Sequence, residues 1–370
     1  MRIALFLIYL FISYNGRCQL SVPKLKQSLN LLMDQEWKDH SFSGVVLVAN
    51  HGKPVFFESR GYRNFDTKTV LGKNDLFELA SVSKQFTAMI ILMLKEKGPL
   101  GIDDDIARYI PDLPWSGITI RHLLTHTSGL PDYQSIMDKH WDKSKVADNI
   151  DCIEYLKKYP EPLHFRPGQK YEYSNTGYLL LASIAEKATG KFFPDVLNER
   201  IFKPLKMKTA ALRTPATRRK VSNFAMGYIF DSTKNSYQNA ELYPESNYTI
   251  WLGHRKGPGR ISMNASDLFK WDKALYTPLL ISDATMEEAF TPYSLLDGTK
   301  SNYGFGWELQ QDVKLGKVVQ HTGDNPGYHT LIKRFTEKEL TIIILNNNAS
   351  DRVHEIQKSI RELLVSTYLK

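Results

Sequence analysis

The sequence predicts an α+β fold in which one antiparallel sheet is built from both chain ends and a mainly helical region is inserted between them. Three observations carry this. Strand patterns stand near the start, at 43–50 and 53–59. They return near the end, at 317–321, 328–335 and 340–345. The long middle, roughly 75–300, mixes helical stretches with loops rich in glycine and proline. Strands at both ends around a helical middle describe an α+β composite rather than an alternating α/β chain.

The elements follow in chain order. Met1-Arg2 is a short positive start, residues 3–14 are almost unbroken apolar, and 15–19 turn polar. That run is shorter than the ~20 apolar residues of a membrane span. It reads as a cleaved secretory signal of residues 1–18, cut before Gln19 with Gly16 and Cys18 as the small residues, so the protein is expected to be secreted or periplasmic. Arg17 departs from the lipobox pattern, which sets aside a lipid anchor on Cys18. Residues 19–370 then form one domain, with sheet parts at about 35–75 and 300–370 and a helical part at about 76–300. His51-Gly52 joins the first two strands as a hairpin. Residues 79–97 are helical, stopped by Gly98-Pro99. A second helix runs from Asn175 to about Thr189 and ends at Gly190, and an amphipathic helix from Asp351 to about Tyr368 closes the chain. No second apolar run reaches membrane length, so no stable membrane insertion is expected after cleavage.

Composition excludes several classes. The chain has 370 residues, 42% hydrophobic and 24% charged, which fits a globular core and not disorder. No period of 20–50 residues repeats, which argues against solenoids and propellers. Two cysteines make neither a disulfide scaffold nor a four-cysteine zinc site, and cleavage would leave Cys152 alone. The net charge of +8 is spread along the chain. Its densest cluster, Arg218-Arg219-Lys220, is too short for a nucleic-acid arm and reads as a solvated turn.

Three short motifs carry chemistry. In Phe77-Glu-Leu-Ala-Ser81-Val-Ser-Lys84, the serine and lysine stand at i, i+3 at a helix start, on one face. A buried lysine can lose its charge and take a hydroxyl proton. The helix N-terminus offers free N–H groups to an oxyanion. Ser81 as a plain helix cap is the bland alternative, and the same spacing recurs at Ser21–Lys24. Tyr173-Ser-Asn175 opens the second helix, although Tyr-x-Asn also occurs at Tyr62–Asn64 and Tyr237–Asn239. His321-Thr322-Gly323 follows a strand and is the one His-x-Gly in the chain; alone it reads as a strand-terminal turn.

In this order the three motifs resemble the serine β-lactamase and penicillin-binding family, more narrowly the class C β-lactamases, D-alanyl-D-alanine carboxypeptidases and related esterases. Residues 118–130, Phe165-Arg-Pro-Gly168 before the second motif, and 257–268 before the third extend the resemblance over about 35–350. It implies a β-lactamase/transpeptidase-like fold with the site between sheet and helical parts. It also implies roles. Ser81 attacks a carbonyl and forms an acyl-enzyme, and Lys84 and Tyr173 share the proton, with the carrier left open. Asn175 holds Lys84 or a substrate amide. The N–H groups of Ser81 and Asp324 form the oxyanion hole, His321, Thr322 and Gly323 line the substrate, and no metal or cofactor is required. Tyr173-Ser-Asn175 and His321-Thr-Gly323 replace the Ser-Asp-Asn and Lys-Thr-Gly of the generic pattern.

The histidine matters. An unperturbed histidine is mostly neutral at pH 7 and holds a carboxylate less well than lysine. That favours ester, amide or peptide substrates, D-amino-acid cell-wall peptides included, or transfers the anchoring to another residue such as Arg260, whose bland alternative is a surface arginine. His122 and His126 at i, i+4 lack the glutamate of a zinc protease and are expected to pack or cap. Asp103-Asp104-Asp105 reads as a turn before a helix. The expected function is a serine hydrolase on a small-molecule or peptide substrate. Antibiotic hydrolysis and a non-catalytic peptide- or wall-fragment-binding module are the alternatives, and the intact Ser81, Lys84 and Tyr173 count against the second. Oligomeric state is not legible.

Overall fold

The structure is a computed structural model that describes residues 21–369. The expected signal and its cut after Cys18 lie outside the described residues.

The elements that position the site are α1 (Val22–Lys38), β1 (Gly44–Asn50), β2 (Lys53–Arg60), α2 (Lys84–Lys97), α3 (Asn175–Thr189), α4 (Ala265–Ala274), β3 (Glu308–Asp312), β4 (Gly316–Asn325), β5 (Tyr328–Phe335), β6 (Leu340–Asn346) and α5 (Val353–Tyr368). The six strands form one antiparallel sheet in the order β3-β4-β5-β6-β1-β2. The join between the two chain ends is β1 against β6, with Gly44 opposite Asn346 and Asn50 opposite Leu340. The expected sheet from both ends is therefore present, and no helix among the described residues is long and apolar enough to cross a membrane.

The alternation of strand side chains splits the core into two layers. Val45 and Leu47 of β1 and Ile343 and Leu345 of β6 face the helical body with α2 and α3. Val46, Val48, Ile342 and Ile344 face the other way, onto Leu25, Leu29 and Met33 of α1 and Ile356, Ile360 and Leu364 of α5. A strand covered on both faces reads as a continuous apolar run, and both of these do. α1 went unread in the sequence because its deepest apolar residues, Leu25, Leu29 and Met33, form a narrow stripe interrupted by Lys, Gln, Asn, Asp and Glu.

α2 is the central helix. Every residue from Lys84 to Leu94 is buried, as expected for a helix apolar all round. α4 is tied to the sheet by a buried pair: Arg334 Nε donates to Asp272 Oδ1 at 2.7 Å, and Thr341 Oγ1 donates to Asp272 Oδ2 at 2.9 Å.

Two readings are corrected. Arg218-Arg219-Lys220 is not a fully solvated turn, because Arg218 is 2% exposed and ion-paired with Glu78 and Glu241. The third motif does not end its strand. β4 continues to Asn325, so His321, Thr322 and Gly323 lie inside the ladder opposite Ile332, Leu331 and Thr330. The glycine looks like a turn residue but has another task, described below.

Candidate active site

The segment before α2 is fixed from both sides. Phe77 and Glu78 pair with Met263 and Ser262. Leu79 N–H donates to Ile261 O at 2.9 Å, and Leu79 O accepts from Thr330 Oγ1 at 2.8 Å. Ala80 then takes a left-handed φ of 47°, an unfavourable conformation for a residue with a Cβ. A 3-10 turn, Ala80–Ser83, follows and presents Ser81 ahead of α2. β4 lies directly against this turn. A Cβ on Gly323 would meet Leu79 O at 2.2 Å, so only glycine admits the approach.

Lys84 is fully buried, and its Nζ has three neighbours: Ser81 Oγ at 3.1 Å, Asn175 Oδ1 at 2.9 Å and Pro258 O at 3.0 Å. No carboxylate pairs with it among the described residues. Burial, and then the charge of Arg255, hold its pKa well below the usual lysine value. A neutral amine has two N–H donors and one lone pair. Asn175 Oδ1 and Pro258 O can only accept, so they take the two donors. The lone pair is left for the one neighbour that owns a proton, the Ser81 hydroxyl.

Tyr173 precedes α3, whose first turn is capped by Ser174 accepting from Gly177 N–H at 3.2 Å. Its ring lies 4.7 Å from Lys84 Nζ and is 40% exposed, while its hydroxyl meets Ser81. Burial of that hydroxyl end pushes its pKa up, and the contact with Ser81 offsets this only in part. His126 supports the loop from below. Fully buried, it accepts the Ser174 N–H at Nδ1 (3.0 Å), and its ring centre lies 4.4 Å from that of Tyr173. His122 closes a capping box with Thr119. Both histidines pack or cap, as read from the sequence, and Asp105 caps the short turn after the aspartate run.

His321 is 1% exposed. Its Nδ1–H donates to Thr322 O at 2.5 Å, which leaves Nε2 to accept from Tyr303 Oη at 2.8 Å. Burial drives its pKa down to about 4; nearby Glu308 opposes the shift and Lys84 adds to it. The ring is therefore neutral at pH 7 and faces protein. The structure brings His321 to the site with its ring buried beneath the surface, against Tyr303. Thr322 Oγ1 donates to Glu308 Oε1 at 3.2 Å, and Asp324 is exposed beside Ser81.

Ser81, Asn175 and Asp324 line a small cavity of about 60 Å³ together with Tyr133, Tyr248 and Arg255. Arg260 does not line it. It is 0% exposed, turned inward onto Glu78 Oε2 at 3.4 Å and Thr249 O, so it is neither a carboxylate anchor nor a surface arginine. Glu78, Glu308 and Arg255 were missed in the sequence. Nothing in their local pattern marks them: Glu78 lies in the Ser81 motif itself but its arginine partners come from distant segments, as do Glu308 and Arg255.

The β-lactamase family model matches residues 29–365. Penicillin-binding protein 4* of Bacillus subtilis (strain 168) is 40% identical over 331 residues, which cover 89% of this chain and 73% of that protein. The structure of a penicillin binding protein from Bacillus halodurans superposes with a TM-score of 0.78 at 25% identity, covering 90% of this chain and 98% of that one. A D-amino acid amidase from Ochrobactrum anthropi SV3, complexed with D-phenylalanine, shares the fold with a TM-score of 0.75 at 22% identity over 92% and 98% of the two chains. This chain belongs to the β-lactamase family and is a serine hydrolase of the penicillin-binding-protein-like kind.

Proposed function

We propose that the protein acts outside the cytoplasm, forming an acyl-enzyme on Ser81 from ester, amide or peptide substrates, D-amino-acid derivatives among them. The observation that carries this is the buried Lys84 amine, held 3.1 Å from Ser81 Oγ by two obligate acceptors, Asn175 Oδ1 and Pro258 O, with no carboxylate partner among the described residues. Lys84 takes the Ser81 proton as Oγ attacks the carbonyl. The Ser81 and Asp324 N–H groups receive the oxyanion, and the Tyr173 hydroxyl, protonated at pH 7, gives its proton to the departing alkoxide or amine. Tyr173 regains a proton from Lys84. Water then attacks the ester, with its proton passing back through the same pair, and Ser81 is restored.

The third motif favours this substrate range over penicillins. His321 is neutral and buried, and the charged group beside Thr322 is a carboxylate, Glu308. Among the described residues Glu308 accepts from Gln320 and Thr322 and is ion-paired with no cation, so a substrate carboxylate on the leaving-group side would meet negative charge. The amidase likeness supports D-amino-acid amides as the first class to try.

Incubation with a fluorophosphonate and, separately, a fluorescent penicillin tests the reading by intact mass and peptide mapping. Fluorophosphonate is expected to label Ser81 stoichiometrically, with no adduct in Ser81→Ala and slow or absent penicillin labelling. A folded protein that takes neither reagent overturns the proposal and favours the non-catalytic binding module.

A further inference from the structure

We infer that Arg255 makes the cavity beside Ser81 an anion site, so that the preferred acyl group carries a carboxylate. The inference rests on the hydrolase reading and specifies its substrate class.

Charge arithmetic behind the nucleophile leads to it. Three arginines are buried there: Arg218 at 2%, Arg255 at 7% and Arg260 at 0% exposure. Glu78 pairs with Arg218 at 2.5 Å and Arg260 at 3.4 Å, and its other oxygen accepts from Asn325 Nδ2 at 2.5 Å. Glu241 pairs with Arg218 and Arg219. Both carboxylates are thereby occupied, and Arg255 has no ion pair among the described residues. Its Nη2 only approaches Asn325 Oδ1 at 3.5 Å, its guanidinium lies 5.4 Å from the Tyr248 ring centre, and its buried Nη1 has no hydrogen-bond partner. A buried, unpaired guanidinium is costly unless an anion completes it. Arg255 lines the same cavity as Ser81. Two carboxylates line that cavity: Glu78, whose oxygens are taken by Arg218, Arg260 and Asn325 and which acts on Arg255 only through space, and Asp324, which is exposed to solvent and makes no ion pair with Arg255.

The side of the scissile bond follows from the proton path. The leaving atom must face the proton donor, Tyr173, which does not line this cavity. The cavity therefore receives the acyl portion. Glu308 beside Thr322 disfavours an anion on the other side, so one carboxylate on the acyl part and none on the leaving part is the matching pattern.

Two isosteric probes test it: the mono-4-nitrophenyl ester of adipic acid, and the 4-nitrophenyl ester of adipamic acid, which replaces carboxylate by carboxamide. Wild-type kcat/KM is expected to favour the anion by about 10- to 100-fold, the range of one charge-assisted contact. Arg255→Gln is expected to collapse that ratio to about 1, and Arg255→Lys to retain part of it. Calorimetry on Ser81→Ala protein separates binding from turnover. Tighter binding of the anion there, with no turnover by the wild type, would sink the hydrolase reading and leave the anion site standing. Turnover and binding of both probes alike would overturn the anion site alone. A wild-type preference that survives in a folded Arg255→Gln protein would also overturn it.

Discussion

Lys84→Met lowers kcat/KM by on the order of 10³- to 10⁵-fold, the scale expected when an activating base is removed from a serine nucleophile. Methionine keeps the unbranched shape but has no amine, so Ser81 retains its hydroxyl with nothing to accept the proton. The buried position excludes a simple substitute, because Lys84 is 0% exposed and its site is closed by Asn175 and Pro258. Steady-state kinetics on a D-amino-acid ester or amide give the measurement. The double variant Ser81→Ala/Lys84→Met should be no slower than Ser81→Ala alone, since residues that act as one unit are strongly non-additive. A loss of less than tenfold in the single variant would assign the proton to another group.

Glu78→Gln should be the most damaging single change to stability, costing about 3–5 kcal/mol, the range for breaking a buried ion pair from one side. Its carboxylate holds Arg218, Arg260 and Asn325 at once, and all four residues are buried. Loss of the charge leaves two guanidiniums without their shared partner and adds to the excess already present at Arg255. Urea unfolding of wild type and variant measures it. The pH dependence has a definite sign. Burial raises the Glu78 pKa, but Arg260, Arg218 and Arg255 together outweigh it, so the net shift is downward. A carboxyl depressed in the folded state contributes fully above its unfolded pKa, about 4.3, and the contribution is lost as pH falls through the lower folded value. The wild type should lose this stability below about pH 4, and Glu78→Gln should lack that component. Equal stability of the two proteins at pH 7 would contradict the assignment.

The sheet and the site differ in how much of them could be read from the sequence. β1 and β6 announce themselves as apolar runs because both faces are covered, and α3 carries both its cap, Ser174, and its stop, Gly190. Ser81, Lys84, Tyr173 and Asn175 stand in short motifs that recur elsewhere in the chain, at Ser21–Lys24 and Tyr62–Asn64, so it is their order and the family resemblance, rather than spacing alone, that single them out. Long-range electrostatics leaves no such trace. Arg218 looks like part of a solvated basic turn, and Arg260 looks like a surface or ligand-binding residue, until Glu78 is brought to them across 140 and 182 residues of sequence. Arg255 is invisible for the same reason, since its significance is that the neighbouring carboxylates are already taken. Gly323 misled the reading of strand length, because a glycine needed for close approach to Leu79 looks the same as one that ends a strand.

The central claim is that a neutral Lys84 deprotonates Ser81 at physiological pH. The rate of Ser81 acylation by a fluorophosphonate, followed by intact mass across pH 5 to 10.5, tests it directly. Burial and Arg255 depress the lysine pKa, so the rate should rise with pH through one ionisation well below 10.5 and then stay level through the alkaline range. His321, already neutral above about pH 4, should add no second step near 6.5. Arg255→Gln removes one of the two depressing influences and should move the rise to higher pH. A rate that climbs without levelling up to pH 10.5 would contradict the account, because it would mean that Lys84 keeps its proton wherever the enzyme works.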